Sequence, residues 1–87
     1  MSPDAIRAVL IEEIRRAVPG STPEALPDDR PIRDEVDIDS MDFLSLVTAL
    51  HQRLGIPIPE ADYGRLDTLG HAEAYLAAQV AAKTGER

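Results

Sequence analysis

The apolar positions fall into three helical stripes separated by two stretches without a period. From Pro3 to Val18, the residues Ile6, Val9, Leu10, Ile14, Ala17 and Val18 recur at spacings of three and four, which marks one buried helical face. Ser2 stands where an N-cap belongs, Pro3 occupies the first helical position, and Pro19-Gly20 ends the run. Glu12 and Arg16, on the wet side, form an i,i+4 pair in the favourable order. The second stripe is Phe43, Leu46, Val47, Leu50 and Leu54; it predicts a helix over 40–54 with this face in the core. Gly55 follows at the C-terminal cap position, and the Ile-Pro-Ile-Pro of 56–59 forbids continuation. Leu69, Ala72, Tyr75, Leu76, Gln79 and Val80 mark the inner side of a last helix over 68–82, capped by Asp67 or Thr68. Residues 60–66 have room for at most a short helical turn, and residues 83–87 are expected to fray.

Residues 19–38 carry no period and are punctuated by Pro19, Pro23, Pro27 and Pro31. A connection this long without structure is unusual in a compact domain and is normally functional or pinned down. Leu26, Ile32, Val36 and Ile38 are the expected pins. The fold class that follows is all-α: a small four-helix bundle, three helices long and one short, with a long first loop. One domain over 1–87 is expected, folded over 3–82, because a chain of this size has no room for a second core.

Composition narrows this picture. The hydrophobic content of 44% suffices for a compact core. Phe43, Tyr63 and Tyr75 are the only aromatics, so the core is built mostly of Leu, Ile, Val and Ala; Tyr75 and Tyr63 read as core and rim. With no cysteine there is no disulfide, thiolate metal site or cysteine nucleophile. The apolar runs fall far short of the ~18 residues that cross a bilayer. The N-terminus lacks the basic region and small-residue cleavage site of a signal peptide. A cytoplasmic monomer without membrane insertion is therefore expected.

The net charge of -7 is unevenly spread. Residues 23–42 hold Glu24, Asp28, Asp29, Asp34, Glu35, Asp37, Asp39 and Asp42 against Arg30 and Arg33, eight minus two, a net of -6. Such a field repels nucleic acid and anionic lipid and steers toward basic partners. Self-repulsion in this segment also predicts that added salt compacts it and shifts thermal melts; melts without ionic-strength dependence would contradict this.

The stretch that invites chemistry is "EVDIDSMDFLSL", residues 35–46, where an acidic approach turns into an apolar helix at Ser40. Asp and Ser are both favoured N-caps, and acids suit the positive end of a helix. One cap is enough, and Asp39 can provide it, which leaves the Ser40 hydroxyl in the first turn facing solvent. Met41 and Leu44 lie off the core stripe and form, with Thr48, a second line at i, i+3, i+7. Two exposed apolar residues beside a free hydroxyl and between acids have the character of a docking surface.

Other constellations fail. A calcium loop starting at Asp37 needs a ligand at position 41, Gly at 42 and Glu at 48, where the chain has Met41, Asp42 and Thr48. Ser40 and His51, on one helix, are roughly 16 Å apart along its axis and cannot form a nucleophile–base pair. His71 offers no better pairing without an oxyanion-hole motif, and two distant histidines are a thin basis for a metal site. No enzyme activity is expected.

The segment "DIDSMDFLSLVTALHQRLGIPIPEADYGRLDTLGHAEAYL" resembles the acyl carrier protein family. Asp39-Ser40-Met41 matches that family's Asp-Ser-Leu motif at the start of the second helix. "LVTALHQRLGIPIP" matches the end of that helix and the Ile-x-Ile-Pro turn, and "DTLGHAEAYL" the start of the last helix. Together with the first helix and the loop, the resemblance covers nearly all of residues 3–82. It implies that Ser40 is the attachment point for 4'-phosphopantetheine, transferred from coenzyme A by a phosphopantetheinyl transferase. The arm's thiol would carry acyl groups as thioesters between partner enzymes. Asp39 would help the transferase recognise the site. Asp39, Met41, Asp42 and Leu44, with Ser45 and Thr48 along the same face, would dock acyl-transferring, ligating or condensing enzymes through basic surfaces on those partners.

The chain departs from the pattern in one respect. Many fatty-acid carriers continue with glutamates along this helix, whereas the outward positions here are Ser45, His51, Gln52 and Arg53, and Arg53 is the one formal charge over 43–54. Two readings of this departure stand side by side: a dedicated carrier of a specialised fatty-acid, lipid or polyketide pathway rather than a general one, and simple drift on a solvated face. The Asp-Ser-Met form leans toward acyl rather than peptidyl or aminoacyl carriers. An unmodified helical interaction domain, with Ser40 purely structural, is the remaining alternative.

Overall fold

The computed structural model describes residues 1–85. Its long helices are α1 (Pro3–Ala17), α3 (Ser40–Leu54) and α4 (Leu69–Gly85); a four-residue turn, α2 (Ile32–Glu35), lies in the first connection. Glu60–Leu66 is a seven-residue 3₁₀ segment, the short helix of the expected bundle.

Each terminus is fixed by local chemistry. Ser2 caps α1, its hydroxyl accepting the Ala5 N–H at 3.2 Å, with Pro3 in the first turn. Gly55 ends α3 in the left-handed region, φ 65°, and its N–H donates to His51 O. A β-carbon at Gly55 would meet Lys83 Nζ at 3.0 Å, because that ammonium donates to Leu54 O at 2.9 Å and closes the C-terminus of α3. This contact corrects the expectation of fraying at 83–85, which belong to α4; residues 86 and 87 lie outside the described residues. Thr68 caps α4, its Oγ1 accepting the His71 N–H at 3.0 Å.

α1 packs across both α3 and α4. Leu10, Ile14, Leu50, Ile56, Leu69 and Leu76 are each at most 1% exposed and form the centre of the core. The predicted stripes are buried except at Ala17, Val18, Phe43 and Gln79, which are only half-buried; Phe43 packs against the core rather than inside it. Tyr75 is buried, and its hydroxyl donates to Asp62 at 2.7 Å, which fastens the 3₁₀ segment to α4. Burial and that bond push the Tyr75 hydroxyl up to about 12.

The first connection is more structured than its sequence predicts. Pro23–Ala25 forms a 3₁₀ turn and Ile32–Glu35 a helical one. Leu26, Ile32, Val36 and Ile38 are all buried, as pins should be. Two backbone bonds also tie the loop to the start of α4: Ile32 N–H donates to Asp67 O at 2.8 Å, and Gly70 N–H to Asp28 O at 3.0 Å. The second favours glycine, since a β-carbon at position 70 would stand 3.0 Å from that same Asp28 oxygen, closer than most β-carbons approach an oxygen. Arg7 adds a bridge from α1, donating to Asp28 and Glu73, each at 2.8 Å. Prolines hide this order from a periodicity reading because long-range bonds, not local repeats, create it.

Arg53 also differs from expectation. It is no free outward charge: it pairs with Glu12 and with Glu13, the latter at 2.7 Å, and so joins α3 to α1. Glu13 is buried, and Arg16 approaches the same two carboxylates. The surface pair read as Glu12–Arg16 is thus one edge of a four-residue network.

At the start of α4, Asp67 accepts the Thr68 N–H at 2.8 Å, and its Oδ1 lies 2.8 Å from His71 Nδ1. The His71 contact, with help from Thr68, holds the Asp67 carboxyl below its ordinary 3.8. A depressed carboxylate stabilises the fold above that ordinary value, and the contribution disappears as the pH falls through the lower folded value. Asp67→Asn is therefore expected to lose less stability than wild type on acidification from neutral pH to below 3.8, as read by urea midpoints across that range.

Candidate functional site

Ser40 is the first residue of α3, and the residue before it does the capping. Asp39 is extended (φ -93°, ψ -176°), and its Oδ1 accepts the Asp42 N–H at 2.8 Å. Asp42 Oδ2 reaches back to the Asp39 N–H at 3.4 Å, which completes a reciprocal capping box with an aspartate in the return position. The box sets where the helix begins and leaves Ser40 exposed in its first turn. Behind it, Val36 and Ile38 turn inward, while Asp37 and Asp39 remain exposed. The acids therefore line the approach without being drawn into the core.

The other residues singled out from the sequence lie on the outer side of α3. Met41 is 78% exposed and Leu44 49%, unusually open for large apolar side chains. Together with Ser45, Thr48, Ala49 and Gln52 they outline a shallow, uncharged depression along the helix. Since Arg53 is drawn toward α1, this outer face is neutral beyond Asp42, and the acidity lies in the preceding loop and first turn.

One feature of the site was not singled out from the sequence. A groove of about 480 Å³ opens beside Ser40, between the loop, the first turns of α3 and the 3₁₀ segment. Its walls include Ile32, Ile38, Phe43, Leu46, Tyr63 and Leu66, so it is largely apolar, and its volume lies in the usual range for a small-molecule site. Phe43 and Tyr63 meet edge to face there, ring centroids 5.7 Å apart. Arg33 lies over the Phe43 ring, its guanidinium carbon 5.1 Å from the centroid. The groove explains why Phe43 is only half-buried: its ring serves as wall instead of filling. With three aromatics in the chain, the meeting of two of them beside Ser40 was the available signal, but only the placement of the 3₁₀ segment Glu60–Leu66 brings Tyr63 to Phe43.

Comparison with known proteins places this geometry. Residues 4–76 match the family model described as the phosphopantetheine attachment site. Among similar proteins is an acyl carrier protein of Streptomyces coelicolor, 34% identical over 80 residues that cover 87% of each chain. Another, from Renibacterium salmoninarum, is 33% identical over 67 residues, 77% of this chain and 83% of the relative. A meromycolate extension acyl carrier protein of Mycobacterium tuberculosis is 30% identical over 66 residues, which span 76% of this chain and 57% of that longer protein. A helical bundle with an exposed serine at the head of its second long helix, matched over most of its length by these carriers, belongs to the phosphopantetheine-binding acyl carrier protein family.

Proposed function

We propose that Ser40 is the tether for 4'-phosphopantetheine and that the chain shuttles acyl groups between enzymes without catalysing a reaction itself. The observation that carries this reading is the division of labour at the head of α3: Asp39 takes the capping role, so the Ser40 hydroxyl is exposed and free for modification. The surroundings fit the group. A helix N-terminus favours an anion, and a phosphodiester is one. The apolar groove beside Ser40 offers shelter to a hydrocarbon cargo. When bound, the arm supplies the thiol on which acyl groups travel as thioesters, so a chain without cysteine lacks nothing.

The chain's own contribution is presentation. Asp39 and Asp42 give charge for steering and register, while Met41 and Leu44, with Ser45 and Thr48 beside them, give desolvated contact to the transferase and to later partners. The neutral outer face past Asp42 favours partners whose basic groups meet the loop and first turn only. This supports a dedicated carrier in a specialised lipid pathway, in line with the meromycolate extension relative. Met41→Ala is expected to lower kcat/KM for loading by a transferase about tenfold, the effect of a contact worth about 1.4 kcal/mol. Its melting temperature should stay at the wild-type value, because Met41 touches solvent rather than core.

Intact-mass measurement after incubation with coenzyme A and a broad-specificity phosphopantetheinyl transferase tests the proposal. A gain of one phosphopantetheine group is expected; a mass that does not change overturns it.

A further inference from the structure

Arg33 is distinguished by what it does not touch. Arg7, Arg15, Arg16, Arg30 and Arg53 each have a carboxylate within ion-pair distance. Arg33 sits among acids in sequence, next to Asp34 and Glu35, yet it pairs with no carboxylate among the described residues. Its guanidinium lies instead on the face of Phe43. The other arginine without a carboxylate partner among them, Arg65, lies over Tyr75, which does not wall the groove.

The position of Phe43 gives this stacking a direction. Ser40 and Phe43 are three positions apart on one helix, so they share a face with β-carbons about 5–6 Å apart. Ser40, Phe43 and Arg33 all line the same groove. An uncommitted cation is thus held by an aromatic ring, one helical turn from the exposed hydroxyl. The local balance gives it something to neutralise. Residues 23–42 already carry a net charge of -6, and a phosphodiester on Ser40 adds one more negative charge to that field.

We propose that Arg33 is a positioning residue for the arm: it pairs with the phosphodiester on Ser40 while remaining stacked on Phe43, and so holds the root of the arm over the groove. An arginine suits this task better than a lysine. Its planar fork can donate two parallel hydrogen bonds to phosphate oxygens while its face stays on the ring. The aromatic ring keeps the side chain from collapsing onto Asp34 or Glu35, which would otherwise satisfy it first. The pairing rests on Ser40 as the tether, as proposed above, but it adds a second residue to the site, from a different element.

The test uses ¹⁵N-labelled full-length protein before and after loading, with loading verified by intact mass, as wild type and as Arg33→Gln, Arg33→Lys and Arg65→Gln. Two signals are followed: the Nε–Hε resonance of Arg33 and the ³¹P resonance of the diester. Loading of the wild type is expected to move the Arg33 Nε–Hε resonance and leave that of Arg65 in place. The ³¹P resonance is expected to shift in Arg33→Gln, to return part of the way in Arg33→Lys, and to stay put in Arg65→Gln. A loaded wild-type protein whose Arg33 resonance does not move overturns the inference, and needs no variant to fold or load. A ³¹P resonance identical in wild type and Arg33→Gln overturns it as well. A wild-type chain that takes up no arm instead overturns the assignment of Ser40, so the two failures are distinct.

Discussion

Replacing Ser40 with alanine is expected to abolish loading by a phosphopantetheinyl transferase and leave the fold intact. The two halves of this expectation rest on different atoms. Loading requires the hydroxyl, and alanine removes it. Stability at the head of α3 depends on Asp39 Oδ1 and Asp42 Oδ2, which exchange their bonds with the backbone without Ser40. Ser40 is exposed, so its truncation should change unfolding free energy by no more than about 0.5 kcal/mol. Asp39→Ala is the informative contrast, because loss of an N-cap costs about 1 kcal/mol. Ser21→Ala, at a serine in the first connection away from the docking face of α3, should load as wild type does. Loading that survives in Ser40→Ala would contradict the assignment, and a large loss of stability there would contradict the capping argument.

Leu50→Ala is expected to have the largest effect on stability. Leu50 is fully buried in the middle of α3, a member of the core cluster on the side of α3 that packs against α1. Truncating a buried leucine loses transfer free energy and leaves a cavity, for about 2–5 kcal/mol in total. Domains of this kind have about 5–15 kcal/mol of stability altogether, so a large share would be lost. Urea unfolding should show a lower midpoint with an unchanged slope. Leu44→Ala provides the comparison: it is the same chemical change on the same helix, at a side chain 49% exposed, and should cost far less. Equal costs at the two positions would mean that the stripe Leu46, Val47, Leu50 and Leu54 is not the core face.

The sequence made the long helices legible because each stripe has a period and each end a capping residue. Ser2, Asp39 and Gly55 all act as their residue types suggest. The head of α3 was legible for the same reason: the position of Asp39 relative to Ser40 decides which of them caps. The structure of the first connection was not, since its order comes from Ile32 and Gly70 bonding to partners far away in the chain. The groove was hidden for a related cause. Phe43 falls on the apolar stripe, and a periodic pattern cannot tell a residue that fills a core from one that walls a groove. Arg53 shows the limit for charge, as counting gives +1 over 43–54 while Glu12 and Glu13, from another helix, pair with it. Arg33 shows the reverse: a formal charge surrounded by acids in sequence that stays unpaired among the described residues because an aromatic ring holds it aside.

Fragmentation mass spectrometry of the loaded protein tests the central claim most directly, because it locates the arm on a residue rather than on the chain. The account predicts a single phosphopantetheine group, carried by the peptide that contains Ser40 and assigned to Ser40 itself. A group found on Ser45, on Ser21 or on any residue other than Ser40 would contradict it.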